Sequence, residues 1–316
     1  MILLLGATGY IGQAFQTALR RRGEAFTSLS RYQVDYTDFP ALYEYLKTSR
    51  PSFVINAAGY TGKPNVDSCE IARADTLQGN TLFPQVLAHA CAVLDIPFGH
   101  VSSGCIFAGC MVDYGDGWVI EKDMTRPEFK AVAESSPEKI RGFDETMTPN
   151  FSFREPPCSF YSGTKALGEE AIAGVGSHYI WRLRIPFDEF DNHRNYLSKI
   201  QRYAKVYNNY NSLSQRSDFV NACLDSWFQR IPYGIYNVTN PGFVCTAQVL
   251  DMIKTILKLD REFTFWESDE DFYRTGATTP RSNCIMDSSK LVGAGVSMRP
   301  VLESLETTLK SWIKEG

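Results

Sequence analysis

The stretch Ile2-Leu3-Leu4-Leu5-Gly6-Ala7-Thr8-Gly9-Tyr10-Ile11-Gly12 decides the fold. Four consecutive apolar residues read as a strand covered on both faces, the habit of parallel sheets. Gly6, Gly9 and Gly12 follow at once, and an amphipathic run through Phe15, Ala18 and Leu19 continues to Arg22. Glycines at a strand-to-helix junction allow a tight turn, close approach of backbone N–H groups to a pyrophosphate, and close packing of helix on strand. A stray G-x-x-G-x-x-G means little, but one that leaves the first strand and opens the first helix signals a dinucleotide site.

Working outward, the second strand, Ala25 to Leu29, ends in Ser30-Arg31. An NAD site usually places an acid there for the ribose 2′-hydroxyl. A hydroxyl and a guanidinium suit a 2′-phosphate instead, so NADPH is the expected cofactor and NAD the alternative. Asp35 is expected nearer the adenine. A crossover helix over Phe39 to Ser49 leads to a third strand, Phe53-Val54-Ile55, and then to the small residues Ala57, Ala58 and Gly59. Leu82, Val86, Leu87, Ala90 and Leu94 have helical spacing, with Pro84 near the first turn. The fourth strand, Pro97 to Val101, delivers Ser103, Gly104, Cys105 and Phe107 to the edge of the sheet where ligands sit.

Residues 108 to 157 are charged, rich in Gly and Pro, and without a clear period, which predicts a lid-like insertion. A helix holding Tyr161 and Lys165 follows, then a fifth strand, Tyr179 to Leu183. The expected architecture is therefore α/β. A Rossmann-type doubly wound parallel sheet occupies residues 1–185 and is rejoined at about 213–240, near Gly234 to Val238. A smaller C-terminal substrate domain occupies most of 186–316.

Composition narrows the function classes. At 316 residues the chain buries a core large enough to divide in two. A net charge of -4 with mixed signs argues against nucleic acid or an anionic membrane as partner. The triplet Arg20-Arg21-Arg22 reads as the cationic end of a helix. No apolar run approaches the ~20 residues of a membrane span, and Met1 to Leu5 lacks the marks of a signal peptide. Eight cysteines without Cys-x-x-Cys or paired Cys/His spacing predict no metal site and no disulfide framework, as in a reducing cytoplasm. The four histidines read as structural.

Tyr161 and Lys165 lie four apart and so share a helix face. A fixed ammonium beside a phenol favours the phenolate, which suits the tyrosine to donate a proton to a carbonyl receiving hydride. Spacing alone is weak: Tyr43 and Lys47 repeat it on a helix that reads as solvated surface.

Gly6/Gly9/Gly12, Ser103 and Tyr161/Lys165 on successive strand ends resemble the extended short-chain dehydrogenase/reductase family over nearly the whole chain. Val66-Asp67 with Glu70, and Asn283 to Leu291, look like the dTDP-4-dehydrorhamnose reductases. Longer stretches are similar to the plant-type UDP-4-keto-6-deoxyglucose 3,5-epimerase/4-reductases (rhamnose synthases). These are Asn56 to Gly59, Thr61-Gly62-Lys63-Pro64-Asn65-Val66-Asp67, Gly104 to Phe107, Pro149 to Phe151, Arg194 to Ile200, Asn211-Ser212 and Tyr236 to Gly242. The segment from Trp118 to Arg141 is longer than that pattern.

The resemblance implies reduction of a nucleoside-diphospho-4-keto-6-deoxyhexose, with Tyr161 as acid, Lys165 holding the nicotinamide ribose and Ser103 binding the developing alkoxide. It implies epimerisation through Cys105, with Lys199 as the second acid/base, because inversion needs proton removal from one face and return from the other. Gly104-Cys105 replaces the Asp-Glu pair of the sugar 4,6-dehydratases, so dehydration is not expected. Cofactor contacts are implied for Gly6, Thr8, Gly9, Tyr10, Ile11, Gly12, Ser30, Arg31, Asp35, Ala57, Ala58, Gly59, Tyr161, Lys165 and Pro186. Substrate contacts are implied for Thr61, Lys63, Asn65, Ser103, Cys105, Phe107, Asn195 and Asn211. A cytoplasmic homodimer is the expected assembly. The open alternatives are a catalytically silent NADP-binding regulatory subunit and a plain 4-reductase.

Overall fold

A computed structural model describes residues 1–63 and 65–314; Pro64 of the Thr61–Asp67 motif, Glu315 and Gly316 lie outside the described residues. The chain forms two compact units. The first comprises Met1–Ile106, Pro149–Arg182 and Val220–Tyr236, and the second Phe107–Thr148, Leu183–Phe219 and the chain from Asn237 on.

In the first unit, chain order runs β1 (Ile2–Leu5), α1 (Tyr10–Arg21), β2 (Phe26–Leu29), α2 (Phe39–Ser49), β3 (Phe53–Asn56), α3 (Phe83–Val93), β4 (Phe98–Ser103), α4 (Phe160–Ile172), β5 (His178–Leu183) and β6 (Gly234–Asn237). The sheet order is β6-β5-β4-β3-β1-β2, and β1 pairs in parallel with both β2 and β3, as β3 does with β4. Leu5 stands opposite Leu29 and Asn56, and Asn56 opposite His100, so these strands finish along one edge. The Rossmann-type parallel sheet read from the sequence is thus present.

Apolar β1 is buried on both faces because helices cover both. Leu3, Leu5, Leu42, Leu46, Val54, Leu87, Phe98 and Ile180 share one core cluster. Asp38 caps α2 by accepting Ala41 N–H. α3 continues without a break from helix Arg73–Leu77 through the π turn Gln78–Leu82, and Pro84 follows that turn, where the altered hydrogen-bond ladder accommodates its missing N–H. Arg22 closes α1 and forms a 2.7 Å ion pair with Asp225. Tyr43 is half-buried against the core and exposed Lys47 lies over its ring at 5.7 Å, so the repeated spacing is a cation–π pair.

The segment expected to insert at 108–157 divides between the two units: residues 107–148 belong to the second and 149–157 to the first. Cys110–Asp113 pairs antiparallel with Trp118–Glu121 and with Ile140–Arg141, and helix Pro127–Ser135 packs Phe129 into their core with Val112, Met124 and Ile140. The hairpin turn is built on Asp113, whose Oδ1 accepts the N–H groups of Gly115 and Gly117. Four-residue strands are too short to give a visible period. The remainder of this unit has a second core under helices Thr246–Leu257 and Val301–Lys310, formed by Phe187, Leu197, Val249, Leu250 and Leu305. No helix among the described residues is long and apolar enough to cross a membrane.

Candidate active site

Gly6 leaves β1 at φ +74, and a Cβ there would collide with the backbone of Ala57 and Ala58. A Cβ on Gly12 would collide with the Gly6 carbonyl. These two positions hold the first turn, α1 and the segment after β3 closer together than any side chain permits. No side chain caps α1 and no acid stands in its first turn, so its leading N–H groups and positive dipole end stay available to an anion. The cradle fits the pyrophosphate of a dinucleotide. Thr8 and Gly9 are exposed beside it, with Tyr10 and Ile11 half-buried.

After β2, Ser30 donates its N–H and its hydroxyl to Gln33 Oε1, both at 2.9 Å, which fixes the turn, while Arg31 is exposed. Asp35 accepts from the Thr37 hydroxyl at 2.6 Å and from its N–H at 3.1 Å. These two bonds lower its pKa and give it a local turn-forming role.

The turn after β3 is held from behind. Asn56 Oδ1 accepts Ala58 N–H at 3.0 Å, which leaves Asn56 Nδ2 facing His100 Nδ1, also at 3.0 Å. His100 therefore accepts at Nδ1, and burial keeps its pKa well below the ordinary imidazole range. Asn80 completes the support: Tyr60 N–H donates to its Oδ1 at 2.9 Å, and its Nδ2 donates to the Tyr60 carbonyl at 2.9 Å.

Ser159 caps α4 by accepting Ser162 N–H at 3.1 Å, and α4 packs against the end of β4 and the single turn Gly104–Ile106. Tyr161 is half-buried in the first turn of α4 and Lys165 is 5% exposed one turn on. Lys165 Nζ donates to the Val101 carbonyl at 3.4 Å and lies 3.3 Å from where a Cβ on Gly59 would stand. Burial lowers the Lys165 pKa, and Cys105 and Glu169 oppose that fall. Cys105 is 7% exposed and its N–H donates to Ser103 Oγ at 3.2 Å. Ser103, Cys105, Lys165 and the Ala57–Gly59 turn thus come together in one unit, beside the helix turn that carries Tyr161. Thr61, Lys63 and Asn65 lie exposed after that turn; Asn65 caps the short helix Val66–Glu70, and the Lys63 carbonyl accepts from Ser68.

The other expected residues belong to the second unit. Lys199 is half-buried on helix Tyr196–Arg202, and burial with the Arg194 charge lowers its pKa. Pro186 starts a two-residue strand parallel to Ser214–Gln215. Three residues with substrate expectations carry structural contacts. Phe107 is fully buried and stacked on Phe143 at 4.8 Å. Asn195 caps Leu197 N–H and spends its amide on Asp188 and Phe190. Asn211 accepts from Arg184 and Cys284 and donates to Asn283. These buried amides have their polar atoms paired within the unit, as buried polar groups generally are. Sequence reasoning read His100 only as structural and passed over Asn80 and Glu169, whose polar side chains beside apolar residues were the available signal. Among the described residues no three His, Cys, Asp or Glu side chains gather to hold a metal ion.

The family model for the RmlD substrate binding domain matches residues 1–311. The chain belongs to that family. A bifunctional dTDP-4-dehydrorhamnose 3,5-epimerase/dTDP-4-dehydrorhamnose reductase of Arabidopsis thaliana is 31% identical over 304 residues, covering 96% of this chain and 90% of that protein. A trifunctional UDP-glucose 4,6-dehydratase/UDP-4-keto-6-deoxy-D-glucose 3,5-epimerase/UDP-4-keto-L-rhamnose-reductase of the same plant is 30% identical over 304 residues. Here the match covers 96% of this chain but 41% of the relative, so the chain spans less than half the length of such multifunctional members. Among solved structures, the UDP-rhamnose synthase of Acanthamoeba polyphaga mimivirus superposes with a TM-score of 0.81 at 22% identity, covering 98% of both chains. The dTDP-4-dehydrorhamnose reductase of Bacillus anthracis, in complex with NADP, gives 0.74 at 20% identity, covering 97% of both.

Proposed function

We propose that this RmlD-family chain reduces the C4 ketone of a nucleoside-diphospho-4-keto-6-deoxyhexose and epimerises it at C3 and C5. One observation carries the reading: Lys165 is buried between the end of β4 and the Gly59 turn, one helical turn from Tyr161 and beside Ser103 and Cys105. The plant relatives named for these activities support it.

NADPH, when bound, supplies the hydride to C4. Gly6, Gly9 and Gly12 with the start of α1 would hold its pyrophosphate, and Ser30 and Arg31 its 2′-phosphate. Tyr161 gives its proton to the C4 oxygen, Ser103 donates a hydrogen bond to the charge developing there, and Lys165 stabilises the phenolate left behind. Cys105 exchanges protons at the carbons flanking the ketone, where the enolate charge falls on the same oxygen. Lys199, with its lowered pKa, is the proposed second acid/base. A cytoplasmic homodimer is the proposed state of the protein.

The test is turnover in deuterium oxide. The purified chain with NADPH and a panel of UDP-, dTDP-, CDP- and GDP-4-keto-6-deoxyhexoses is expected to oxidise NADPH and to place deuterium at C3 and C5. The burial of Cys105 favours one second reading, a plain 4-reductase in which the thiol is packing. NADPH oxidation without deuterium at C3 or C5 would select it, and tight NADPH binding without any turnover would leave a silent cofactor-binding subunit.

A further inference from the structure

A third polar residue follows Tyr161 and Lys165 on the same stripe of α4. Glu169 stands four residues beyond Lys165, as Lys165 does beyond Tyr161. Glu169 is 5% exposed, and the chemistry above does not use it. Its carboxylate is fully engaged. Ser102 Oγ donates to Oε1 at 2.5 Å; Arg182 Nε donates to Oε1 and Oε2 at 3.2 and 3.1 Å, and Nη2 to Oε2 at 2.8 Å. Arg182, on β5, is itself 2% exposed.

Stability alone does not account for such a pair, since buried ion pairs are often replaced by apolar residues without loss. Its location does. Ser102 lies between Val101, whose carbonyl takes the Lys165 ammonium, and Ser103, the proposed alkoxide donor. One carboxylate therefore fastens the strand that supplies the hydroxyl to the helix that supplies the phenol and the ammonium.

We propose that Glu169, gripped by Arg182 and Ser102, is a positioning residue for the reduction, holding Lys165 charged and in register with Ser103. The inference rests on the reductase reading. Lys165 faces Cys105 and neutral His100 from the β4 side and Glu169 on its own helix, with Tyr161 one turn before it in sequence and the Arg182 cation beyond Glu169. Burial pulls the Lys165 pKa down, and Glu169 is one of two groups that hold it up. Removing the carboxylate also leaves the Arg182 charge uncancelled, which pushes the same way. A neutral Lys165 loses the charge that stabilises a phenolate.

The experiment titrates Lys165 in the cofactor-free chain by NMR of 13Cε-labelled lysine, with Lys165→Arg assigning the signal. In Glu169→Gln the midpoint is expected to fall by about one pH unit. With NADPH and keto-sugar, the alkaline limb of kcat falls with it, while KM changes little. Glu169→Asp, which restores the charge, recovers both. The double variant Glu169→Gln/Arg182→Gln leaves no guanidinium without its carboxylate and gives the same direction should the single variant not fold. An unmoved midpoint overturns the proposal, and so does a midpoint that falls without any change in the kcat profile. A wild-type chain that reduces no keto-sugar counts against the reductase reading instead, because the midpoint is read without substrate or cofactor.

Discussion

Glu70 and Phe160, 90 residues apart in sequence, meet in a 2.6 Å hydrogen bond in which the Phe160 N–H donates to Glu70 Oε1. Phe160 opens α4 and directly precedes Tyr161. Arg73 steadies the arrangement, 3.6 Å from the other Glu70 oxygen and 5.1 Å over the Phe160 ring. A carboxylate at a helix start satisfies an orphan donor and complements the dipole. Glu70→Ala is expected to cost about 1–2 kcal/mol and to lower kcat. Glu70→Gln keeps an acceptor and is expected to lose less of both. Denaturant melts and turnover check this; equal losses in the two variants would contradict it.

The glycine turn makes a paired prediction. Gly12→Ala places a methyl group against the Gly6 carbonyl, so NADPH affinity is expected to fall by an order of magnitude or more. Gly23 has φ +68 but open space around it, so Gly23→Ala is strained without a clash. It should cost about 1 kcal/mol of stability and leave affinity intact. Fluorescence titration of NADPH against both variants distinguishes a local cradle from general damage.

Much of this was legible in the sequence because strand and helix periods are local. The run Ile2–Leu5, the glycine turn and the Tyr161/Lys165 pair all declare themselves within a dozen residues. What stayed hidden is carried by contacts distant in sequence. Nothing in the sequence gives Glu169 a partner until β5 brings Arg182 to it, and the face that His100 supports shows only where Asn56 meets it. The hydrogen bonds of Asn195 and Asn211 were hidden for the same reason. A motif match cannot tell an amide that meets a ligand from one spent on neighbouring backbone.

In the proposed reading cofactor choice depends on Arg31, which is exposed after β2. Arg31→Ala is expected to weaken NADPH binding about tenfold, as loss of a charge-assisted phosphate contact does, with NADH binding unchanged. Dissociation constants for both cofactors decide it, and a parallel loss for NADH would contradict the 2′-phosphate assignment.

His100 makes stability depend on pH. Its folded pKa lies well below 6.5, so the native chain stays unprotonated where the unfolded chain takes up a proton. Its contribution is complete above the unfolded pKa and is lost progressively as pH falls from there to the folded pKa. The slope approaches about 1.4 kcal/mol per pH unit. His100→Gln, with an acceptor for Asn56 and no titration, should flatten the fall in stability between pH 6.5 and 5 relative to wild type. Identical slopes in urea melts would contradict the burial argument.

The most direct measurement follows wild-type chain, NADPH and UDP-4-keto-6-deoxyglucose in deuterium oxide by NMR, beside Cys105→Ser. Wild type is expected to yield a 4-reduced sugar with protium from NADPH at C4 and deuterium at C3 and C5. Cys105→Ser should fail to exchange yet still reduce a substrate already epimerised. Exchange that persists in Cys105→Ser, or a wild-type chain that consumes no NADPH with any 4-keto sugar, would contradict the account.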